Sequence, residues 1–568
     1  MMSESNLSNP SAEFMRPPEQ VMRLDRMGSS HQTRLSFMRS LIRRMSREHW
    51  KFECLRRDTD GDGFGVSVYA VTTPQRTYSL IAYTQDIPPK KRTDRVIAEV
   101  WDATFSLFDG VPTQADIDYL ANNTPKQEEG RYRPSELVLA RANKSLRVFE
   151  HVISALAKGN QPDIELLSSV GYLMRTTAVY GSGKFGCADR AKIAEREECK
   201  GAFQIELLAV YLIRWFTIDL AEYLAKKRGG DKAVKFEPHI RKFIGVGNAT
   251  GLGMAPFLLK HPVLVHNWVM AKESALARVR SMETPLKDTL EKFTQSLIQV
   301  IQHLGEWRVE DEVQTTRIDR LKEEIKSLSH WCSDPINLMK PYPWNGIYQY
   351  VEDRFSLECQ EMVVSLIIEP HGSLVDDLAE TMSSVSTPKL VADMPLSQLK
   401  GIVKDYYVWA TTIDFTLTDS QHHFWYYSED KLEPRFGSRD VEEGSEQEMP
   451  LAIGRDAHEL NQALLSISDE VLVGEFVLSF PQFRHIIRRI QNTLQRPYSE
   501  VQDNLLDESM RPLDLLRFKL AFFGASKFDP KSDLWTRISM YQGAPMPDQL
   551  SDPGHDKWFF PVIPKQVI

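Results

Sequence analysis

Cysteine is scarce in this chain and widely spaced. There are five in 568 residues, Cys54, Cys187, Cys199, Cys332 and Cys359, an odd number with no C-x-x-C pair. That disfavours both a disulfide framework and a cysteine-based structural zinc site, and a reducing cytoplasm is the expected compartment. Long apolar runs are missing too. The densest, Ile205 to Phe216, is broken by Glu206 and Arg214 and is too short to cross a bilayer. The opening MMSESNLSNPSAEF has no apolar core of signal-peptide length. No membrane partner is expected. Neither sign of charge is in large excess: 69 Lys+Arg against 78 Asp+Glu leaves −9, which gives no global pull toward nucleic acid.

Several chemical signatures are absent as well. There is no H-x-H, H-E-x-x-H or G-x-S-x-G. His422 and His423 are adjacent in an aromatic run that reads as a strand, where neighbours point to opposite faces and one metal would not take both. No metal site is expected, and no cofactor can be assigned.

What is present is the make-up of a globular protein, 42% hydrophobic and 26% charged. The length suits about two to four domains. The pattern reads as mostly α and multidomain, with a small N-terminal α+β unit whose antiparallel strands fall at about 50–86. Residues 1–30 are polar and broken by Pro10, Pro17 and Pro18, and read as a disordered tail. The N-terminal unit covers 31–125, a central helical domain 130–335 and a C-terminal, mostly helical domain 340–568.

Within the first unit, Leu35, Met38, Leu41, Ile42 and Met45 predict a helix, and the stretch 34–57 is rich in arginine. A first helix that packs its apolar stripe and solvates its charges is the favoured reading. A further helix is predicted from Thr93 to Phe108. From Pro134 onward helices dominate: one, containing Arg141, would carry Lys144, Arg147 and His151 on one side, one would run from Pro162 to about Tyr180, and one, apolar nearly all round, from about Ala202 to Lys227. The charged, lightly apolar 313–331 helix is a possible contact between two copies of the chain.

Two glycine-dense stretches stand out, GYLMRTTAVYGSGKFG from Gly171 and GVGNATGLG from Gly245. Neither fits a known phosphate motif. A phosphate loop needs glycine at Ala178 and Ser or Thr at Phe185. The dinucleotide fingerprint starting at Gly245 would place its third glycine on Thr250. Small residues still let a backbone approach an anion, with Lys184 as a point charge and Arg175 as a planar fork. The candidate ligand-binding set is Arg175, Gly181, Gly183, Lys184, Gly245, Gly247, Asn248, Thr250 and Gly251. Lys527 joins it because Phe523–Asp529 echoes Tyr180–Gly186. The leading expectation is a cytoplasmic enzyme that binds a phosphate- or carboxylate-bearing small molecule at glycine-rich loops. The alternative is a non-catalytic helical scaffold.

Asp58-Thr-Asp60-Gly-Asp62-Gly63 resembles the start of a calcium loop, but its twelfth position is Tyr69, where a bidentate glutamate is needed. A hairpin turn is the better reading. Calorimetry with calcium chloride should show no binding at Asp58–Asp62; millimolar or tighter binding that Asp60→Ala removes would overturn this.

Overall fold

A computed structural model describes residues 12–88, 100–124, 133–176, 193, 195–201, 203–251, 262–382, 388–414, 425–428, 433–436, 446–448, 453–502, 515–525, 527–530 and 535–564. Three strands form where alternation predicts them: β1 (Lys51–Thr59), β2 (Gly65–Thr72) and β3 (Thr77–Thr84). Between β1 and β2 the Asp60 carboxylate accepts hydrogen bonds from the N–H groups of Asp62 and Phe64, both at 2.9 Å. Gly63 takes a φ of 81° to close that turn.

The sheet does not stop there, and this corrects the expected fold class. β4 (Ala103–Asp109), β5 (Glu136–Lys144), β6 (Tyr172–Thr176) and β7 (Gly245–Gly251) continue it. After a separate three-stranded sheet of β8 (Trp425–Ser428), β9 (Glu433–Phe436) and β10 (Glu446–Glu448), the strands β11 (Lys527–Pro530) and β12 (Trp535–Met540) complete it. The result is nine strands in the order β1-β2-β3-β4-β5-β6-β7-β12-β11. All neighbours are antiparallel except β6 and β7, which run parallel. The chain is therefore built on a mixed sheet and a helical region, not on a small antiparallel unit followed by helices.

Two of these departures share a cause. β5 and β6 are buried on both faces, and their stretches 137–140 and 172–174 read as continuous apolar runs rather than alternating ones. Periodicity does not separate such a run from a buried helix. Arg141 and Lys144 consequently lie on a strand, while His151 lies on the helix Phe149–Ala157. The second glycine stretch, expected as a loop, is extended as β7.

The central helix, Gln204–Gly229, is buried nearly all round as its composition predicts. It crosses one face of the sheet through aromatic contacts: Trp215 meets Tyr69 at 4.8 Å between ring centres, Phe216 meets Phe105 at 5.4 Å, and Tyr211 meets Tyr541 at 5.4 Å. Ile117 and Leu120 from the helix Gln114–Asn123 cover part of the other face, over Val68, Ile81 and Tyr83. A second core, including Leu399, Val403, Leu460, Phe476 and Ile487, belongs to the helices between Leu396 and Gln495.

In the helix Glu312–Cys332, Ile318, Leu321, Ile325 and Leu328 are buried within this same chain, against Thr289–Glu306 and Leu357–Ile368. The apolar stripe of that helix is thus occupied, and charged side chains face outward. Among the described residues no helix is long and apolar enough to cross a membrane.

The expected disordered tail also differs from what is found. Residues 12–30 carry the short helices Pro18–Val21 and Leu24–Gly28, and Val21, Leu24 and Met27 are buried. Arg16 is the anchor. Its Nε donates to Glu273 at 2.8 Å and its Nη1 to Glu361 at 2.6 Å, with all three side chains at most 1% exposed. Arg26 and Lys272 donate to the same Glu361 carboxylate at 3.0 and 3.1 Å. Burial opposes the charge on Glu361, but Arg16, Lys272 and Arg26 hold its carboxyl well below the usual range. A polar, proline-broken segment can be ordered when one buried ion pair anchors it, and composition does not reveal that. Arg16→Ala removes both short bonds to the buried Glu273 and leaves it a 3.7 Å contact with Lys272, so it should cost about 3–5 kcal/mol in a urea melt. A chain beginning near Gln32 should melt far below the full chain; equal melting of the two would show that the tail adds nothing.

Candidate functional site

The sheet register brings part of the expected set together. Arg175 on β6 lies opposite Asn143 on β5 and Gly247 on β7. Gly247 lies opposite Ser539 on β12, and Ser539 opposite Lys527 on β11. Arg175, Gly247 and Lys527 thus share one row across the sheet. Gly245, Asn248, Thr250 and Gly251 lie on β7 as well. Gly181, Gly183 and Lys184 lie outside the described residues, as does Cys187.

The glycines of β7 have a packing reason. A Cβ on Gly247 would sit 2.4 Å from the Tyr172 ring, and one on Gly245 would sit 2.6 Å from the Met540 carbonyl oxygen. The Tyr172 ring lies over the strand, and the Arg537 guanidinium stands 6.0 Å from that ring. Of the two readings of a glycine run, close approach to a ligand or close approach to the protein itself, the second accounts for Gly245 and Gly247. Asn248, fully buried, has neither amide atom hydrogen-bonded.

A more developed site lies at the N-terminal end of the central helix. The helix Phe37–Arg47, the connector from Glu197 to Gln204, the short helix Asp376–Met382 and residues 555–556 enclose a cavity of about 930 Å³. That volume is typical of small-molecule sites. Gln204, the first residue of the central helix, is in the lining, so the positive end of that helix's dipole lies at the cavity wall.

Under the cavity three arginines meet three carboxylates. Arg34 donates to Asp376 at 2.6 and 2.7 Å and pairs with Asp556 at 2.7 Å. Arg39, fully buried, donates from both Nη atoms to Glu369 at 2.6 Å. Gly372 admits the first of these, since a Cβ there would lie 2.5 Å from Arg34 Nη2. Burial works against Asp556, but Arg39, Arg43 and Arg34 hold its carboxyl down at about 2. Against the same opposition from burial, Asp376, Asp556 and Glu369 raise Arg34.

Arg43 gets less from the network. Its Nη2 donates to the Arg34 carbonyl oxygen at 2.7 Å, but it stands 3.5 Å from both Asp376 and Asp556, and its Nη1 has no hydrogen-bond acceptor. Burial, with Arg34 and Arg39 close by, pushes its pKa down. Arg44, Arg47 and Lys200 extend the cationic lining. Arg44 bonds Glu48 at 2.9 Å and the Glu197 carbonyl oxygen. Arg47 is 68% exposed, and its ion pair with Glu48 is long, at 3.7 Å. Lys200 pairs with Glu197 on the rim.

The sequence held a signal for this site. Arg39, Arg43 and Arg47 recur at i, i+4 and i+8, so one helix face carries three guanidiniums. The structure buries Arg39 completely and leaves the Arg43 side chain only 13% exposed, rather than solvating them. The carboxylates that answer them come from more than 300 positions away, and nothing local announces them. Among the described residues no group of three or more His, Cys, Asp or Glu is placed to hold a metal ion. No family model, no curated protein and no solved structure matches this chain.

The packing account of β7 is directly testable. Gly247→Ala should destabilise the protein by about 1–3 kcal/mol, the usual cost of overpacking, and adding Tyr172→Ala should recover part of it. A neutral Gly247→Ala would mean that the ring does not hold that strand position.

Proposed function

We propose that this protein binds a small anionic molecule, bearing a phosphate or a carboxylate, in the cavity beside the helix Phe37–Arg47. The observation that carries this reading is Arg43. A buried guanidinium with an unused donor is costly, because it has given up water without a full replacement. Arg34 and Arg39 take the short bonds to the three carboxylates, and Arg43 keeps only 3.5 Å contacts with two of them. An oxyanion in the cavity would add negative charge beside Arg43, which these long contacts only partly supply.

Two further features support it. Arg44, Arg47 and Lys200 line the same cavity, and Arg47 and Lys200 are exposed enough to reach a ligand without leaving a buried partner. The positive pole of a 26-residue helix adds to their field. The ligand class is the one expected from the glycine stretches; the cavity is preferred over β7 because packing already accounts for Gly245 and Gly247.

The test is a thermal-shift screen of phosphorylated and carboxylated metabolites, followed by calorimetry. Arg47→Ala and Lys200→Ala should each change stability by no more than about 0.5 kcal/mol, as exposed substitutions do. Each should weaken a ligand that stabilises the parent protein by about 1.5–3 kcal/mol, the range for hydrogen bonds to charged groups. A ligand that binds the parent and both variants equally is not in this cavity, and a screen in which no anion binds defeats the reading.

A further inference from the structure

The cavity is not uniformly basic. The short helix Asp376–Met382 places Asp376 and Glu380 on its wall. Asp376 is engaged by Arg34 and Arg43. Glu380, one turn further on, is exposed and makes no ion pair among the described residues. Arg47, one turn beyond Arg43 on its own helix, has a single long contact with Glu48. A carboxylate and a guanidinium thus line one cavity without pairing with each other. Phe37, Ala379 and Met382 contribute apolar surface to the same lining.

From this we infer that the ligand is a zwitterion: an anionic group drawn by Arg43, Arg47 and Lys200, an apolar spacer, and an ammonium group received by Glu380. The inference rests on the anion-binding reading above and narrows its ligand class. Opposite charges that face one space without closing on each other are each left to solvent, and a molecule carrying both complements satisfies the two at once. A simple anion would leave Glu380 unanswered and, through like-charge repulsion, would be disfavoured by it. Glu380 therefore acts as a specificity determinant: it favours an amine-bearing anion over the same anion without the amine.

Two matched pairs of probes test this by calorimetry: phosphoethanolamine against ethyl phosphate, and γ-aminobutyrate against butyrate. The parent protein should bind the amine-bearing member of at least one pair about tenfold or more tightly than its partner, as a charge-assisted hydrogen bond supplies. Glu380→Gln should abolish that preference and leave the affinity for the plain anion equal or slightly improved. Arg47→Ala should weaken both members of the pair. Equal binding of paired probes to the parent, untouched by Glu380→Gln but lost in Arg47→Ala, would overturn the zwitterion and leave the anion site standing. If no probe binds, or if binding survives Arg47→Ala unchanged, both readings fall. Glu380 is exposed, so Glu380→Gln should fold normally, and an unchanged melting temperature checks that its effect is on binding.

Discussion

Buried guanidinium groups hold distant parts of this chain together. Arg214, on the central helix, is completely buried. Its Nε donates to the Ile244 carbonyl oxygen at 2.6 Å, and its Nη2 to those of Lys242 at 2.7 Å and Ala544 at 2.9 Å. Those carbonyls lie just before β7 and just after β12, so one side chain fixes the helix to two strands that neighbour each other in the sheet. Burial lowers its pKa to about 10, which still leaves it charged at neutral pH. Arg16 does the same for the N-terminal segment and Arg39 for the floor of the cavity. A buried charge without its partners is expensive, so each of these groups enforces one arrangement of the segments that serve it.

The cavity follows from that constraint. The three carboxylates that meet Arg34, Arg39 and Arg43 come from the helical region around 369–376 and from Asp556 near the C-terminal end. Their convergence brings the acidic helix Asp376–Met382 opposite the arginine-rich helix. The same contacts give Arg34 and Arg39 short bonds to carboxylates and leave Arg43 with 3.5 Å contacts, while Arg39 Nε and Arg43 Nη1 have no acceptor among the described residues. On the proposed reading, an anionic ligand would add the negative charge that this network leaves short around Arg43. On the zwitterion proposal, Glu380 on the same wall would then select among such anions.

Parts of the fold were legible in the sequence. The strands between Lys51 and Thr84 followed from alternation and turn residues, and the Asp60 turn followed from its failed calcium pattern. The central helix followed from its all-round apolar composition. β5 and β6 did not, because strands covered on both faces lose the alternation that marks a strand. The arginine spacing at 39, 43 and 47 was visible, but a solvated face and a buried one have the same spacing. The glycines of β7 were visible too, yet the reason for two of them is the Tyr172 ring and the Met540 carbonyl, one from the adjacent strand and the other almost 300 positions away.

What the sequence determined by itself is local: turns, amphipathic and fully apolar helices, and the absence of cysteine, metal and nucleophile patterns. These depend on residues within a few positions of one another, and that is the range over which periodicity and backbone preference act. The tertiary structure alone decided which charges are paired. It also decided that the chain returns to the sheet through β11 and β12, and that a polar N-terminal segment is anchored inside. Coulombic and packing contacts act through space without regard to separation along the chain. The partner of an arginine is therefore settled by the fold, not by its neighbours in sequence.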